Sequence, residues 1–121
     1  MVFDFETFSR IAAKVYEQGN PYSLDDCLMV FKCYFENYEK YRGHSHPPIK
    51  ANQIARLMWT MPYWPPINVR YEFPEIDPER YPSLIRLHFK TRYRRCDYNI
   101  NHFFSGDIRE MRAFEDQKGY E

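Results

Sequence analysis

The chain has 121 residues, enough for one domain but too few for two independent cores. Lys plus Arg and Asp plus Glu each number 17, so the chain has no net charge with which to attract a polyanion. Any binding of nucleic acid must therefore depend on a local cluster of cations. The three cysteines form no Cys-x-x-Cys pair, which argues against a disulfide framework or a zinc ribbon and favours a reducing compartment.

The N-terminal segment and the aromatic content further narrow the class of protein to which the chain can belong. MVFDFETFSR carries acids where a signal peptide has cations, and no apolar run approaches the roughly 18 residues of a membrane span, so we expect a cytoplasmic protein without a membrane partner. Aromatic residues make up 19% of the chain, which predicts an aromatic-rich core. Because a buried tyrosine hydroxyl needs a partner, some tyrosines should lie at the core edge or on an interaction surface.

Two amphipathic helices are predicted first. In DFETFSRIAAKVYEQGNP, apolar residues recur every three or four positions behind a cap at Asp4, and Gly19 begins a helix stop. The second helix begins near Leu24 behind the cap Ser23 and ends at Gly43. Its broad apolar face is typical of a central helix.

A third helix, KANQIARLMWTM, ends at Pro62. The next segment, PYWPPINVRYEFPEIDPE, reads as a proline-rich connector in which INVRYEF permits one short strand. In DPERYPSLIRLHFK, Asp77 is placed to cap a fourth helix. A fifth follows in DYNINHFFSGDIREMRAFED, where either Gly106 is tolerated within one helix or Ser105 caps a second. We therefore predict a compact all-α domain of about five helices over 1–121.

One basic segment departs from the overall neutrality. Between 80 and 95 there are six cations and no acid, with aromatic residues among them. The cations are Arg80, Arg86, Lys90, Arg92, Arg94 and Arg95, and the aromatic residues are Tyr81, Phe89 and Tyr93. Arginines suit phosphates and aromatic rings suit unpaired bases, so the mixture favours nucleic acid. We expect Arg109 and Arg112, on the polar side of the last helix, to extend this surface.

A structural interpretation competes with this one. Cations near a helix C-terminus complement the helix dipole, and the upstream acids Glu72, Glu75 and Glu79 are available as partners. In CDYNIN, Asp97 or Asn99 is better placed to cap a helix than to read a base, because both side chains compete for backbone hydrogen bonds.

Metal binding and catalysis have little support. His44 and His46 are close in GHSHPP, but no second pair lies at ligand spacing, so we expect a loop with two exposed histidines and no metal or other cofactor. Cys96 with His102 would make a thiol-dependent enzyme, yet no recognisable catalytic motif accompanies them. We therefore predict no catalytic residues.

The segments YRRCDYNINHFFSGDIR and YSLDDCLMVFKCYFENYEKYRG resemble uncharacterised small accessory proteins of bacterial mobile genetic elements. The similarity extends over most of the chain, from about Tyr22 to Phe114. It implies no activity and no site residues, only a context of replication, transfer or conflict with the host. Small non-enzymatic proteins in that context often bind nucleic acid or inhibit a host nuclease.

Two hypotheses follow. The first is a non-catalytic protein that contacts nucleic acid or a nucleoprotein through the basic segment, with Arg92, Arg94 and Arg95 as clamps and Tyr93 as a stacking ring. The second is a protein-protein interaction module, such as an anti-CRISPR-like inhibitor of a host defence nuclease or a replication adaptor. Its anchors would be Tyr41, Tyr63 and Trp64, because exposed aromatic residues concentrate binding energy.

Overall fold

The chain folds as an all-α protein, as the periodicity predicts. A computed structural model describes residues 4–63, 76–92, 96–104, 108, 109 and 112. These ranges contain no β-strand, and the strand permitted in INVRYEF falls outside them. The helices are α1 (Phe5–Val15), α2 (Leu24–Arg42), α3 (Ala51–Thr60), α4 (Tyr81–Lys90) and α5 (Ile100–Phe104), with a 3-10 turn at Pro78–Arg80.

The first two helices begin at the caps that the sequence predicts. The carboxylate of Asp4 accepts a hydrogen bond from the amide of Glu6 at 3.1 Å. Ser23 forms a capping box with Asp26, whose amide donates to the serine hydroxyl at 3.1 Å. Gly43 ends α2 with a φ of 79°, a left-handed conformation that costs glycine little. Local chemistry therefore sets both helix starts and the end of α2. The predicted stop of the first helix at Gly19 is wrong, because the backbone is already extended at Tyr16 and α1 ends at Val15.

The predicted cap Asp77 is also found before the fourth helix. Asp77 accepts a hydrogen bond from the amide of Glu79 at 2.9 Å, and Pro78 takes the first position of the 3-10 turn. Because this turn comes first, the α-helix begins at Tyr81 rather than beside the cap.

The fifth helix begins at two side-chain caps in succession. Asp97 accepts from the amide of Asn99 at 3.0 Å, and Asn99 accepts from the amide of Asn101 at 3.0 Å. The capping role predicted for CDYNIN is therefore confirmed. Residues 105–107 lie outside the described ranges, so the choice between a continuous helix and a new start at Ser105 stays a prediction.

Helix α2 occupies the centre and packs against both α1 and α4. Its buried residues are Cys27, Val30, Phe31, Tyr34, Phe35 and Tyr38. It runs parallel to α4: the rings of Tyr22 and Tyr81 lie 6.4 Å apart near the two helix starts, and those of Tyr41 and Phe89 lie 5.8 Å apart near the two ends. The carboxyl ends of α2 and α4 consequently lie side by side.

Tyrosine hydroxyls attach the connectors to this core. Tyr34 of α2 donates to the carbonyl of Tyr98 at 2.7 Å, and Tyr98 donates to the carbonyl of Thr91 at 2.6 Å. Tyr81 donates to the carbonyl of Met61 just after α3. Each bond satisfies a carbonyl that no regular ladder reaches, which explains how the core accommodates so many tyrosines.

The connector between α3 and α4 is closed at its base. The amide of Ile76 donates to the carbonyl of Pro62 at 2.9 Å, and the hydroxyl of Tyr22 donates to the carbonyl of Ile76. The stretch 64–75 between these points lies outside the described ranges. None of the helices in the described ranges is both long enough and apolar enough to cross a membrane.

Candidate nucleic-acid interface

Three of the cations predicted to bind a partner are exposed on or just after α4. Arg86 and Lys90 are four residues apart, so they lie one turn apart on the same helix face. Arg92 follows the last turn and is also exposed. Burial raises the pKa of the Cys33 thiol and the guanidinium of Arg86 partly opposes that rise, which places Arg86 beside α2.

The end of α2 adds cations and an exposed ring to the same end of the protein. Lys40, Tyr41 and Arg42 are all exposed. The ring of Tyr41 lies 5.8 Å from that of Phe89 with 16° between their planes, which brings the end of α2 against the end of α4. Parallel packing thus gathers side chains that are far apart in sequence. We call the following set the basic surface: Lys40, Tyr41, Arg42, Arg86, Lys90 and Arg92.

Sequence reasoning missed Lys40 and Arg42. Both lie in the last turn of α2, just before Gly43, where cations are expected for reasons of helix polarity alone. The signal that would have added them to the site is the parallel order of α2 and α4, which no local pattern encodes.

Buried rings support the basic surface from behind. The rings of Phe89 and Tyr98 lie 5.5 Å apart with 20° between their planes, and Tyr41 stacks on the same phenylalanine. The guanidinium of Arg42 lies 5.3 Å from the centre of the Tyr98 ring, within cation–π distance. Tyr98 has a φ of 58°, rare outside glycine, and its hydroxyl and carbonyl are both hydrogen-bonded. The stack therefore gives Tyr41 and Arg42 an aromatic contact on their inner side.

Two carboxylates of α2 lie one turn before cations of the basic surface, since Glu36 precedes Lys40 by four residues and Glu39 precedes Arg42 by three. Glu36 and Glu39 contribute to a cleft of about 190 Å³. Its lining is Phe5, Lys32, Phe35, Glu36, Glu39, Ser45 and His46. Across the described ranges the one ion pair joins Arg10 to Glu6 within α1, at 2.7 Å. No cation of the basic surface therefore forms a direct ion pair with a carboxylate in those ranges.

The prediction that Arg109 and Arg112 lie on the polar side of the last helix is wrong. Their side chains are only 1% and 2% exposed. Arg109 donates to the carbonyl of Thr60 at 2.9 Å and to the hydroxyl of Tyr81 at 3.0 Å. Arg112 donates to the hydroxyl of Thr91 at 2.9 Å. Both arginines join the last helical residues to other elements, so they are not available to an external partner in this fold.

A buried histidine accompanies these arginines. His88 is fully buried, and its burial, together with the charges of His102 and Arg112, lowers its pKa to about 3. The imidazole is therefore neutral at physiological pH. The basic residues of the core thus contrast with the exposed cations of the basic surface.

Four of the remaining predicted site residues lie outside the described ranges: Tyr93, Arg94, Arg95 and Trp64. Their roles stay predictions. The other proposed partner anchors, Tyr41 and Tyr63, are 41% and 43% exposed. Tyr63 follows α3 near the start of α4, where Met61 contacts Tyr81, so the two exposed tyrosines lie at different ends of the helix pair.

The expectation of two exposed loop histidines is correct for His44 and wrong for His46, which is 2% exposed. The Nε2 atom of His46 accepts from the amide of Ile100 at 3.0 Å, so Nδ1 carries the proton and donates to the carbonyl of Pro47 at 2.7 Å. Burial lowers the pKa of His46, which favours this neutral form. Nε2 thus holds the start of α5 and Nδ1 holds the loop at Pro47, which leaves neither nitrogen for a metal ion.

Cys96 and Cys27 lie among residues that form a helix start and the packed core. Cys96 Sγ accepts from the amide of Tyr98 at 3.2 Å, and the ring of His102 packs 5.9 Å from that of His88. Burial raises the pKa of Cys27 to about 12, so this thiol stays protonated. These contacts belong to a helix start and a packed core. They give no support to a thiol-dependent enzyme.

Comparison of the chain with protein-family models, with curated protein sequences and with solved structures gives no match. Its function therefore has to be argued from the basic surface and the elements that position it.

Proposed function

We propose that this chain is a non-catalytic binding protein whose basic surface contacts nucleic acid. The observation that carries the proposal is the presence of five exposed cations and an exposed tyrosine on the carboxyl-terminal halves of the parallel helices α2 and α4 and just beyond α4. Exposed cations interleaved with aromatic rings are the composition that single strands and phosphate backbones favour.

Helix polarity explains only part of this surface. Lys40, Arg42 and Lys90 lie in the last turns of their helices, where cations stabilise the helix in the absence of any ligand. Arg86 lies in the middle of α4 and Arg92 lies beyond its end, so the dipole accounts for neither. The two arginines therefore favour an external anion over a purely structural role.

The chain is neutral overall, so the attraction is local and the affinity is modest. We expect a dissociation constant on the order of 10⁻⁵ M at physiological salt, typical of contacts to phosphates without base readout. The logarithm of the association constant should fall linearly with the logarithm of the salt concentration, with a slope of about −3 for four phosphates on a single strand.

Fluorescence anisotropy with labelled DNA and RNA oligonucleotides tests the proposal. The triple variant Arg86→Gln, Lys90→Gln, Arg92→Gln should lose at least tenfold in affinity at low salt and show a smaller salt slope. The matched control is Lys14→Gln, Lys50→Gln, Arg56→Gln, which removes the same charge from exposed positions on and beside α1 and α3. An equal loss in both triple variants, or no binding by the unaltered chain to any oligonucleotide, would overturn the proposal.

A protein partner is the second candidate function, favoured by Tyr63, which is 43% exposed at the far end of α4 from the basic surface. A defence-nuclease inhibitor would slow cleavage in a purified assay with an RNA-guided nuclease, and Tyr63→Ser would restore cleavage. A replication adaptor would instead bind a purified initiator or helicase in a manner sensitive to the same substitution. Inhibition or binding that Tyr63→Ser leaves unchanged would count against this surface.

A further inference from the structure

The most exposed ring of the basic surface has the geometry of a stacking platform. Tyr41 is 41% exposed, whereas the neighbouring rings of Phe89 and Tyr98 are only 6% and 8% exposed. Phe89 lies almost parallel to Tyr41 and supports it on one side, while the exposed side chain of Lys40 extends over the ring and would move aside for a base. A supported aromatic ring presents its π-face with little loss of side-chain freedom on binding.

One cation lies close to this ring, and two others follow Phe89 along the chain. The ammonium of Lys40 lies 5.5 Å from the centre of the Tyr41 ring. Lys90 directly follows Phe89, the residue on which Tyr41 stacks, and Arg92 lies two residues further along the chain. A strand with a base on Tyr41 would therefore find ammonium and guanidinium groups for the phosphates on either side of that base.

Base pairing decides which nucleic acid can use the ring. In a duplex the faces of the bases are stacked on one another, and proteins reach only their edges through the grooves. An unpaired base exposes its face and can stack on an aromatic side chain regardless of sequence. A stacking ring beside exposed cations thus adds affinity for a single strand but not for the interior of a duplex.

We propose that the basic surface binds single-stranded nucleic acid, with one unpaired base stacked on Tyr41 and the adjacent phosphates on Lys40, Lys90 and Arg92. This inference rests on the proposed nucleic-acid function and specifies its substrate class. Since the contact is to a base face, the site accepts any base and has little sequence preference.

The test compares one labelled sequence as a single strand and as a duplex, using anisotropy and a single-stranded probe that contains 2-aminopurine. The unaltered chain should bind the single strand about tenfold more tightly than the duplex, and 2-aminopurine fluorescence should fall on binding because the base stacks. Tyr41→Leu keeps an apolar cover over Phe89 but removes the aromatic face. It should weaken single-strand binding about tenfold, abolish the fluorescence change and leave the salt slope unaltered.

Two further variants separate stacking from general effects. Tyr41→Phe should recover most of the affinity that Tyr41→Leu loses, because the ring rather than the hydroxyl makes the contact. Tyr63→Leu alters a tyrosine of similar exposure at the other end of α4 and should not change binding. Circular dichroism of each variant checks that the fold is retained.

The outcomes distinguish a failure of the stacking site from a failure of nucleic-acid binding as a whole. Equal affinity for single strand and duplex, or undiminished single-strand binding by Tyr41→Leu, would overturn the stacking site while leaving nucleic-acid binding in place. No binding of either form at low salt would overturn the proposed function and, with it, this inference.

Discussion

Basic side chains occupy two contrasting environments in this protein. Arg86, Lys90 and Arg92 lie exposed on or beside α4, whereas Arg109 and Arg112 are almost wholly buried at the far end of the sequence. The buried pair donates hydrogen bonds to a carbonyl and to two hydroxyls of other elements. The same residue type therefore acts as a candidate ligand contact in one region and as a structural connection in the other.

The difference shows that the abundance of arginine says little about a surface until the fold is known. A buried guanidinium is retained when it satisfies polar groups that would otherwise lack donors, and it then contributes to stability. An exposed one contributes little to stability and is free to bind. Substitution of the buried arginines should consequently affect stability, and substitution of the exposed cations should affect binding.

The largest expected effect concerns the neutral His88 beside the buried arginines. Since its pKa is lowered to about 3, the unfolded chain takes up a proton below about pH 6.5 that the folded chain does not. The free energy of unfolding should therefore decrease as the pH falls, by up to about 3 kcal/mol for this group between pH 6.5 and 4. Urea unfolding at a series of pH values measures the decrease.

The variant His88→Leu should reduce this pH dependence, while His44→Gln, at an exposed loop position, should not. If both variants kept the slope of the unaltered chain, His88 would not be the neutral buried group that the structure indicates.

Arg109→Met should produce the next largest effect. It removes the donor to Thr60 and Tyr81 while keeping an apolar side chain in the core. We expect the free energy of unfolding to fall by about 2 to 3 kcal/mol, the usual contribution of hydrogen bonds to a charged group. Urea unfolding at pH 7 measures the loss, and an unchanged or increased stability would mean that the buried charge is unfavourable and only tolerated.

Arg42 shares features of both groups, because it is exposed and its guanidinium also contacts the Tyr98 ring. Arg42→Gln should therefore lower the free energy of unfolding by about 0.5 to 1 kcal/mol, as expected for a cation–π contact near solvent. Thermal unfolding monitored by circular dichroism measures this change. A loss as large as that of Arg109→Met would place Arg42 with the structural arginines.

The smallest effect on stability is expected for Arg86→Met, the same substitution made at an exposed position. The free energy of unfolding should change by less than about 0.5 kcal/mol, as for most surface substitutions. The affinity for an oligonucleotide should nevertheless fall several-fold at low salt, because one phosphate contact is lost. A variant that lost stability but not affinity would remove the contrast between the two groups.

Sequence patterns predicted the helices well because their signals are local. Asp4, Ser23, Gly43 and Asp77 each act within a few residues of their own position. The apolar periodicity likewise identified α2 as the central helix. Interactions of this range can be read directly from the order of residues.

The burial of the polar core residues could not be predicted from local patterns, because it depends on contacts between residues far apart in the sequence. His46 accepts its hydrogen bond from Ile100, and Arg109 donates to Thr60, in each case a residue about fifty positions away. The apolar face of the last helix suggested that its arginines point to solvent, yet the surrounding elements cover them as well. The basic surface also needed the parallel order of α2 and α4.

The hydrogen bond between Ile76 and Pro62 has a consequence for protein engineering. Because the amide of Ile76 donates to the carbonyl of Pro62 at 2.9 Å and Tyr22 donates to the carbonyl of Ile76, the residues that flank the stretch 64–75 are already held together. The entropy of closing a loop changes only slowly with its length, so a short glycine-rich linker is a practical replacement. The graft would remove Trp64, Glu72 and Glu75 in one step and leave every residue of the basic surface unchanged.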